Sequence, residues 1–438
     1  MEGLMEEPLS GYTVVELAIA VQGPAAGLYL RDMGAEVVKV EPPMGDGSRH
    51  GRNRNNSLPQ GTIGAQFVAV NRGKRSVCLD LTTDPGMTAL HALIVNADVF
   101  LTNYRQPALK KLGLDYETLH AKCPDLVYGS VNGFGPVGED ADKAMLDGAA
   151  VARGGLLSVT GPEDGAAYLP GAVIGDTSGA MHLALGIVTA LLARARGAGG
   201  QRVQTSALGT QLWLQQWELT HVSMTGEELV RSGNHHPNIR GTYGVYETRC
   251  GGGIMLATTM ALEAWDAVCL FADIPDLAVD PRLQMPGQRL GEGLNDDDSD
   301  FVRARLAAGM KSKTALEWDA FLRTQPEVIW ERVRSYKEVL EDPQSIANGY
   351  ITEVDIPGVG LKRTIGNLVT LSETPGSTKG PPPGLGEGNE ELLTKAGLSV
   401  DAITHVTQSA VQVRERLFEE ARVVREALQR QIEAQHRQ

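Results

Sequence analysis

The chain has 438 residues, which at about 150 residues per domain predicts two or three domains. Hydrophobic residues make up 42% and charged residues 21%, which is typical of a globular protein. The formal net charge of −14 excludes sequence-independent binding to nucleic acid or to an anionic membrane, because both need a basic surface.

The N-terminal segment and the cysteines indicate the compartment. Met1–Glu7 is acidic where a secretory signal peptide would be basic. The longest mostly apolar run, Ala180–Ala195, is too short and too interrupted to span a bilayer. The four cysteines show none of the paired spacings of a zinc site or a disulfide framework. We therefore expect a cytoplasmic protein with no metal and no membrane or nucleic-acid partner.

The first third of the chain alternates strand-like and helix-like segments. The strands are predicted at Thr13–Ala18, Ala35–Val40, Ser76–Leu81, Asp98–Leu101 and Leu126–Val131. Helices are predicted at Ala25–Met33, Met87–Ala97, Leu109–Gly113 and Tyr116–Ala121. This alternation is typical of right-handed βαβ units, so we expect an α/β fold with a large Rossmann-like parallel-sheet domain. Its ligand site is expected beyond the carboxyl ends of the strands.

The rest of the chain predicts a smaller α+β domain. A buried helix over Thr177–Arg194, a strand over Gln201–Ser206 and a helix through Glu218 precede a polar segment, and a hairpin follows around Gly251–Gly253. Helices are expected near 261–272 and 313–324, with an acidic loop at Asp296–Asp298. The predicted organisation is 1–205 for the first part of the large domain, 206–242 for a linker helix and loop, 243–325 for the small domain, and 326–438 for a return linker and the completion of the large domain.

The C-terminal segment has one apolar stripe on a charged helix. Its members recur every three or four residues, at Ile403, Val406, Ala410, Val413, Leu417, Ala421, Val424, Leu428 and Ile432. We expect this helix to pack on its own domain or on a partner subunit.

Two short segments suggest anion binding without a complete motif. Val21–Ala25 joins a strand to a helix, where backbone N–H groups can hold a phosphate, but the G-x-G-x-x-G fingerprint is absent. Asn71–Ser76 carries the cations Arg72, Lys74 and Arg75 but is not a P-loop. A second basic cluster, Arg49, His50, Arg52 and Arg54, is interpreted as solvated surface.

Asp176 introduces the predicted helix of 177–194 and has two interpretations. As the N-cap, its carboxylate would accept backbone N–H groups. As a nucleophile, it would stay ionised at the positive end of the helix and attack an acyl group. Asp147 is a second acid in a semi-apolar setting, and the local pattern favours a structural role for it.

Taken in order, these segments resemble the class III CoA-transferase family, the formyl-CoA transferase and carnitine CoA-transferase group. The resemblance covers about Leu9 to Leu398, and its most specific parts are Leu30–Pro42, Asn71–Ser76, Leu79–Leu81, Ala97–Val99, Asn103–Tyr104, Leu112–Tyr116, Val131–Gly135, Gly175–Asp176, Met181–Leu183 and Gly200–Val203. It implies an enzyme that moves CoA from an acyl-CoA donor to a small carboxylic acid. Asp176 matches the family's catalytic aspartate, which forms an aspartyl anhydride and then an aspartyl-CoA thioester.

The resemblance also implies where CoA binds, as substrate rather than as a permanently bound cofactor. The matching positions are Val21, Gln22, Ala25, Leu79, Asn103, Tyr104, Ala108, Lys111 and Leu112, with Arg72, Lys74 and Arg75 as nearby cations for the phosphates. In some members a base follows the acid of the second strand, whereas Pro42 follows Glu41 here. Family members are interlocked homodimers of ring-shaped chains, which we expect here as well.

Three alternatives remain open at this stage. The α-methylacyl-CoA racemases of the same superfamily have a His immediately before the acid at the position of Asp147, where this chain has Leu146, so one of their two bases is missing. A non-catalytic CoA-binding protein would show no acyl exchange. A dinucleotide oxidoreductase would show a nicotinamide or flavin absorbance.

Overall fold

The computed structural model describes residues 6–50 and 61–435. By proximity, the chain groups into one unit within Met1–Ala150, Val173–Gln211 and Pro343–Gln438, and a second within Val151–Ala172 and Leu212–Asp342. The strands are β1 Thr13–Leu17, β2 Glu36–Glu41, β3 Arg75–Cys78, β4 Val99–Thr102, β5 Val127–Asn132, β6 Arg202–Ser206, β7 Gly244–Glu247, β8 Gly253–Thr259, β9 Val328–Arg332, β10 Ile351–Ile356 and β11 Gly360–Ile365.

The α-helices of the described residues alternate with these strands in the first unit and predominate in the second. They are α1 Gln22–Asp32, α2 Ala65–Asn71, α3 Asp84–Val95, α4 Gln106–Leu112, α5 Tyr116–Lys122, α6 Asp147–Arg153, α7 Ile174–Ala195, α8 Ala207–Leu214, α9 Gln216–Thr225, α10 Leu262–Phe271, α11 Pro275–Ala278, α12 Pro286–Arg289, α13 Asp296–Met310, α14 Ala315–Leu322, α15 Tyr336–Leu340, α16 Pro343–Ala347, α17 Asn389–Lys395 and α18 Val400–Gln435.

The first unit is built on a six-stranded parallel sheet in the order β3-β2-β1-β4-β5-β6. This is the strand order of a doubly wound Rossmann-type sheet. The strands predicted in the first third, and the one at 201–206, are confirmed, with ends that shift by up to three residues. The switch in strand order falls between β1 and β4, so a crevice is expected where the loops after these two strands meet.

Helices cover both faces of this sheet, because neighbouring strand residues point to opposite sides. Val14 on one face packs with α1 and α7 residues such as Leu30 and Leu183. Val15 on the other face packs with residues of α3, α5, α17 and the start of α18. Both faces are therefore buried, which explains why the strands read as nearly continuous apolar runs.

Helix α7 is long and apolar enough, by length and composition alone, to cross a membrane. In the structure its buried residues include Leu183, Ile187 and Leu191, which pack in the core against the sheet and α1. It starts at Ile174, three residues before the predicted start, so Asp176 lies inside its first turn. The N-cap position is held by Val173, and the interpretation of Asp176 as the N-cap is therefore wrong.

The second unit has its own sheet, β7-β8-β9, which is antiparallel, and a core centred on the buried Trp265 and Trp318. The predicted hairpin around Gly251–Gly253 is confirmed as the β7–β8 connection. β9 pairs with β8, so this sheet continues past residue 325. The predicted domain boundaries otherwise stay predictions.

Two local expectations in these segments are wrong. The helix predicted through Glu218 is two helices, α8 and α9, which meet at Gln215. The expected acidic loop is the first turn of α13: the Asn295 side chain accepts the backbone N–H of Asp298, and the three aspartates lie at the positive end of the helix. Carboxylates at that end stabilise a helix, so a run of acidic residues does not by itself indicate a loop.

Candidate active site

The crevice at the switch point is a cavity of about 300 Å³ in the first unit. Its wall contains the loop after β1, the loop after β4, the end of β5, a segment of the following connection and one residue of α7. The lining residues are Ile19, Ala20, Val21, Gln22, Asn103, Tyr104, Arg105, Gln106, Ser130, Val131, Asn132, Gly133, Ala141, Lys143, Ala144, Met145, Leu146 and Asp176. The parallel sheet thus brings segments that are up to 157 residues apart into one pocket.

The loop after β1 is held against the loop after β4 by one side chain. The Asn103 amide donates to the Ile19 carbonyl oxygen at 2.8 Å, and its Oδ1 accepts the Ile19 N–H at 3.0 Å. The next residue, Ala20, has a φ of +63°, a left-handed conformation that is uncommon for a residue with a Cβ. Backbone strain of this kind concentrates at functional sites. Val21 and Gln22 follow directly, and Gln22 begins α1.

The Gln22 side chain is buried against α7. Only 5% of Gln22 is exposed, and its Nε2 has no hydrogen-bond partner among the described residues. A Cβ added at Gly179 would lie 2.4 Å from that Nε2, so the glycine makes room for the amide. A buried amide donor without a partner is costly, and it is well suited to donate a hydrogen bond to a ligand oxygen in this cavity.

Asp176 lies in the first turn of α7, partly buried in the cavity wall. No group of the described residues donates a hydrogen bond to its carboxylate. The backbone N–H groups of Gly175 and Asp176 instead donate to Oδ1 of Asp147, at 2.7 Å and 3.0 Å. Burial, and secondarily the charge of Asp147, raises the pKa of Asp176 to about 6. With this pKa, the carboxylate is mostly ionised at neutral pH.

The structure brings five of the predicted site residues together at this cavity, namely Asp176, Val21, Gln22, Asn103 and Tyr104. Ala108 and Lys111 are exposed on α4, whose first residue, Gln106, lines the cavity. Leu79 is fully buried in the core, Leu112 packs against the same core, and Ala25 is partly buried on α1.

The three predicted phosphate-binding cations lie elsewhere and have carboxylate partners. Arg72 is 2% exposed and forms two hydrogen bonds with Asp32, at 2.5 Å and 2.6 Å. Lys74 is also buried, and burial lowers its pKa to about 8. Its Nζ donates to Glu16, to the Pro24 carbonyl oxygen and to Asn71. These placements argue against a phosphate role for Arg72 and Lys74.

Arg75 differs because it is partly exposed. Its guanidinium pairs with Glu391, which is itself mostly exposed. An exchange of this partner for a phosphate would need little rearrangement, since exposed ion pairs are weak.

The second basic cluster also differs from its interpretation as solvated surface. Arg49 is 8% exposed, and its guanidinium forms two hydrogen bonds with the Glu41 carboxylate, at 2.6 Å and 2.7 Å. The interpretation of Arg49 as a solvated surface residue is therefore wrong. Arg52 and Arg54 lie outside the described residues.

Two cations at the cavity were not singled out from the sequence. Arg105 is exposed and has no carboxylate partner among the described residues, and Lys143 has only Asp140, at 3.9 Å. Arg105 follows Asn103–Tyr104 directly, so its position in the chain was a usable signal. Lys143 lies in a connection without regular structure, and only the fold brings it to the pocket. Within the described residues, no cluster of His, Cys, Asp and Glu could hold a metal ion.

Comparison with known proteins identifies the family to which this chain belongs. The model of CoA-transferase family III matches residues 9–389. A succinyl-CoA:mesaconate CoA-transferase from Haloarcula hispanica is 33% identical, over 89% of this chain and 96% of that protein. A succinyl-CoA–D-citramalate CoA-transferase from Chloroflexus aurantiacus is also 33% identical, over 90% of this chain and 95% of that protein.

A search of solved structures also finds a protein with a similar fold. A CAIB/BAIF family protein from Brucella suis superposes with a TM-score of 0.77 at 28% identity, covering 90% of this chain and all of that one. The chain belongs to CoA-transferase family III, as the resemblance predicted. It is an enzyme of that class, and CoA-transferases use CoA thioesters as substrates.

Proposed function

We propose that this enzyme transfers CoA from an acyl-CoA donor to a carboxylic acid through covalent intermediates on Asp176. The observation that carries the proposal is the Asp176 carboxylate, which lies in the cavity wall without a hydrogen-bond partner among the described residues. A carboxylate in this state is a competent nucleophile at neutral pH. Both relatives named above have succinyl-CoA in their names, so succinyl-CoA is the first donor to test.

The reaction has two halves: CoA moves from the donor to Asp176, and then from Asp176 to the acceptor. The Asp176 carboxylate attacks the thioester carbonyl, the C–S bond breaks, and CoA leaves as a thiolate from a mixed anhydride. The thiolate then attacks the aspartyl carbonyl, releases the donor acid and leaves an aspartyl-CoA thioester. The acceptor carboxylate attacks this thioester, the C–S bond breaks, and CoA leaves again as a thiolate from a second anhydride. The thiolate attacks its acceptor carbonyl, which gives the new acyl-CoA and regenerates Asp176.

The cavity supplies groups that suit these steps. The backbone N–H groups at the start of α7 are already taken by Asp147, so they do not serve as oxyanion donors. The unpartnered Gln22 amide is the donor available to a developing oxyanion. Apolar wall residues such as Val21 and Met145 help to keep water from the anhydride, which water would hydrolyse.

The CoA moiety is assigned to the same pocket and its surroundings. Val21, Gln22, Asn103 and Tyr104 contact the part of CoA near the thioester. Arg105 and Lys143 bind its phosphates, and exposed Lys111 on α4 extends that basic surface. Ala25, Ala108 and Leu112 remain candidate contacts in this proposal, whereas Leu79 acts through packing, because it is fully buried.

We also infer that the enzyme is a homodimer. Helix α7 exposes Met181 (68%), Leu185 (63%) and Leu192 (53%), an apolar row that a second subunit would cover. Interlocked rings and a cytoplasmic location stay predictions from the resemblance and the sequence. Sedimentation of the purified protein tests the dimer.

An intact-mass experiment tests the mechanism. Wild type and Asp176→Asn are incubated with succinyl-CoA, and a portion of each is treated with hydroxylamine. We expect a CoA adduct and, after hydroxylamine, a hydroxamate on wild type only, mapped to the peptide that contains Asp176. Adducts on both proteins would overturn the assignment of the nucleophile.

The same samples discriminate the alternatives. Deuterium from solvent at the acyl α-carbon, without an adduct, would indicate a racemase. Binding of CoA with neither signal across a panel of acyl-CoA donors would indicate a non-catalytic CoA-binding protein.

A further inference from the structure

The final helix continues well beyond the domain on which it begins. Ile403 and Val406 at its start are buried in the core of the first unit. From Glu415 to Arg430 every residue is exposed, including Leu417, Val424 and Leu428 on the apolar stripe. The match to the family model ends at residue 389, so this helix lies outside the matched region.

The stripe contains an internal repeat of eleven residues. The pattern A-x-x-V-R-E-x-L runs from Ala410 to Leu417 and again from Ala421 to Leu428. Ile432 takes the first position of a third repeat. Eleven residues over three turns give about 3.67 residues per turn, close to the 3.6 of an α-helix. The apolar row therefore stays on one face for about 33 Å, the length of 22 residue steps in a helix.

The charges beside the stripe favour a parallel over an antiparallel pair of these helices. Glu420 lies on one flank of the row, and Arg414 and Arg425 lie on the other, as helical spacing at 100° per residue requires. In a parallel pair, opposite flanks face each other, and a residue meets the one five positions further along in the second helix. That places Glu420 of each copy against Arg425 of the other. An antiparallel pair would bring the arginine flanks together.

We propose that the exposed segment Leu417–Ile432 forms a parallel, in-register two-helix pair with the same segment of a second copy of this chain. The apolar stripes meet along the seam, and two Glu420–Arg425 ion pairs, one on each side, fix the register. Within its own helix Glu420 is 3.9 Å from Arg416, a contact weak enough to leave its carboxylate available. The pairing is independent of the transferase chemistry.

Two adjacent valines provide a matched test in the full-length protein. Val424 lies on the stripe and Val423 on the opposite side, and both are exposed, at 67% and 51%. Val424→Cys and Val423→Cys are each oxidised mildly, and dimers are followed on non-reducing gels and mapped by mass spectrometry. We expect Val424→Cys to link to itself at least about tenfold faster, because pairing raises the effective concentration of the two thiols.

Other outcomes would overturn the proposal. These are equal linkage rates for the two variants, no linkage in Val424→Cys, or a disulfide from the introduced thiol to Cys78, Cys123, Cys250 or Cys269. The last outcome would place the stripe against the body of a subunit. Wild type is the control for linkage through the native cysteines, of which Cys250 is exposed.

A charge exchange tests the register. In the Val424→Cys background, Glu420→Arg should slow linkage about three- to tenfold, and adding Arg425→Glu should restore it. Failure of the double exchange to restore the rate would contradict the parallel, in-register arrangement. Transferase activity should stay unchanged in all of these variants, since none of these residues lines the cavity.

Discussion

Oδ1 of Asp147 accepts the backbone N–H of Asp176 at 3.0 Å, and it also accepts the N–H of Gly175 at 2.7 Å. One carboxylate thus occupies the start of α7, where the helix dipole favours negative charge. The second carboxylate, on Asp176, is left without that stabilisation and next to a like charge. Asp147 is therefore a positioning residue: it holds the first turn of α7 and contributes to the raised pKa of Asp176.

Asp147→Asn should move the acid limb of the pH–activity profile. In wild type, kcat/KM should fall as pH drops through about 6, because Asp176 must be ionised to attack. The asparagine keeps an oxygen for the two N–H groups but removes the charge, so the limb should shift to lower pH. The midpoint of this limb should stay above the ordinary pKa of an aspartate, since burial is the larger cause of the raised pKa of Asp176. A plain loss of activity with an unmoved limb would contradict this role.

Asp176→Asn should abolish transfer and yet stabilise the fold. We expect kcat to fall by more than about 1,000-fold. Because the pKa is raised from 3.8 to about 6, the folded protein binds more protons than the unfolded chain between these pH values. The contribution of Asp176 to stability therefore falls as pH rises through this window.

The stability difference should thus depend on pH. Above pH 6 the variant should be more stable than wild type by about 1–2 kcal/mol, a value reduced for solvent screening of a partly exposed carboxylate. Near pH 4 the two proteins should have the same stability. Urea unfolding at both pH values measures the difference, and a variant that is less stable at pH 7.5 would contradict the expectation.

Gly179→Ala should displace the Gln22 amide. The new methyl would lie 2.4 Å from Nε2, the movable end of a side chain, so the fold should tolerate the change. A shift of this size at the site should lower kcat about 10- to 100-fold. Gly186→Ala on the same helix is the control, because its methyl would meet Val203, which does not line the cavity. Equal loss of activity in both would mean that general disturbance of α7 is responsible.

Arg105→Ala and Lys74→Met should separate substrate binding from stability. Loss of the exposed Arg105 should raise KM for acyl-CoA about 5- to 10-fold without changing the melting temperature. Loss of Lys74 leaves the fully buried Glu16 with one of its two cations, and should cost about 3–5 kcal/mol of stability. Steady-state kinetics and thermal unfolding of both variants measure the contrast, and the reverse assignment of the two effects would refute it.

Much of the sheet was predictable, because its signal is local. β1 and β2 are apolar runs bounded by turn residues, and the helices between strands have the 3.6-residue period. The position of Asp176 beside a helix start could also be predicted, because the strand and helix around it have clear boundaries. The order of segments was sufficient to identify the family.

The partners of charged side chains could not be predicted in this way. The sequence around Asn71–Ser76 shows three cations within a short loop, and nothing in it distinguishes a phosphate site from an internal ion pair. Asp32 and Glu16, which bind Arg72 and Lys74, are 40 and 58 residues away in the chain. Burial makes these pairs obligatory, since an unpaired charge inside the protein is very costly.

The sequence by itself determined the parallel α/β sheet, the family and the aspartate at the start of α7. These follow from periodicity, turn residues and the order of segments, which are properties of neighbours along the chain. Only the tertiary structure decided that Asp147 caps α7, that Gln22 lies unpartnered against Gly179, and that Arg105 rather than Arg72 presents a free charge at the cavity. Capping, burial and pairing depend on which distant groups the folded chain brings within about 3 Å, and spacing along the chain does not encode that.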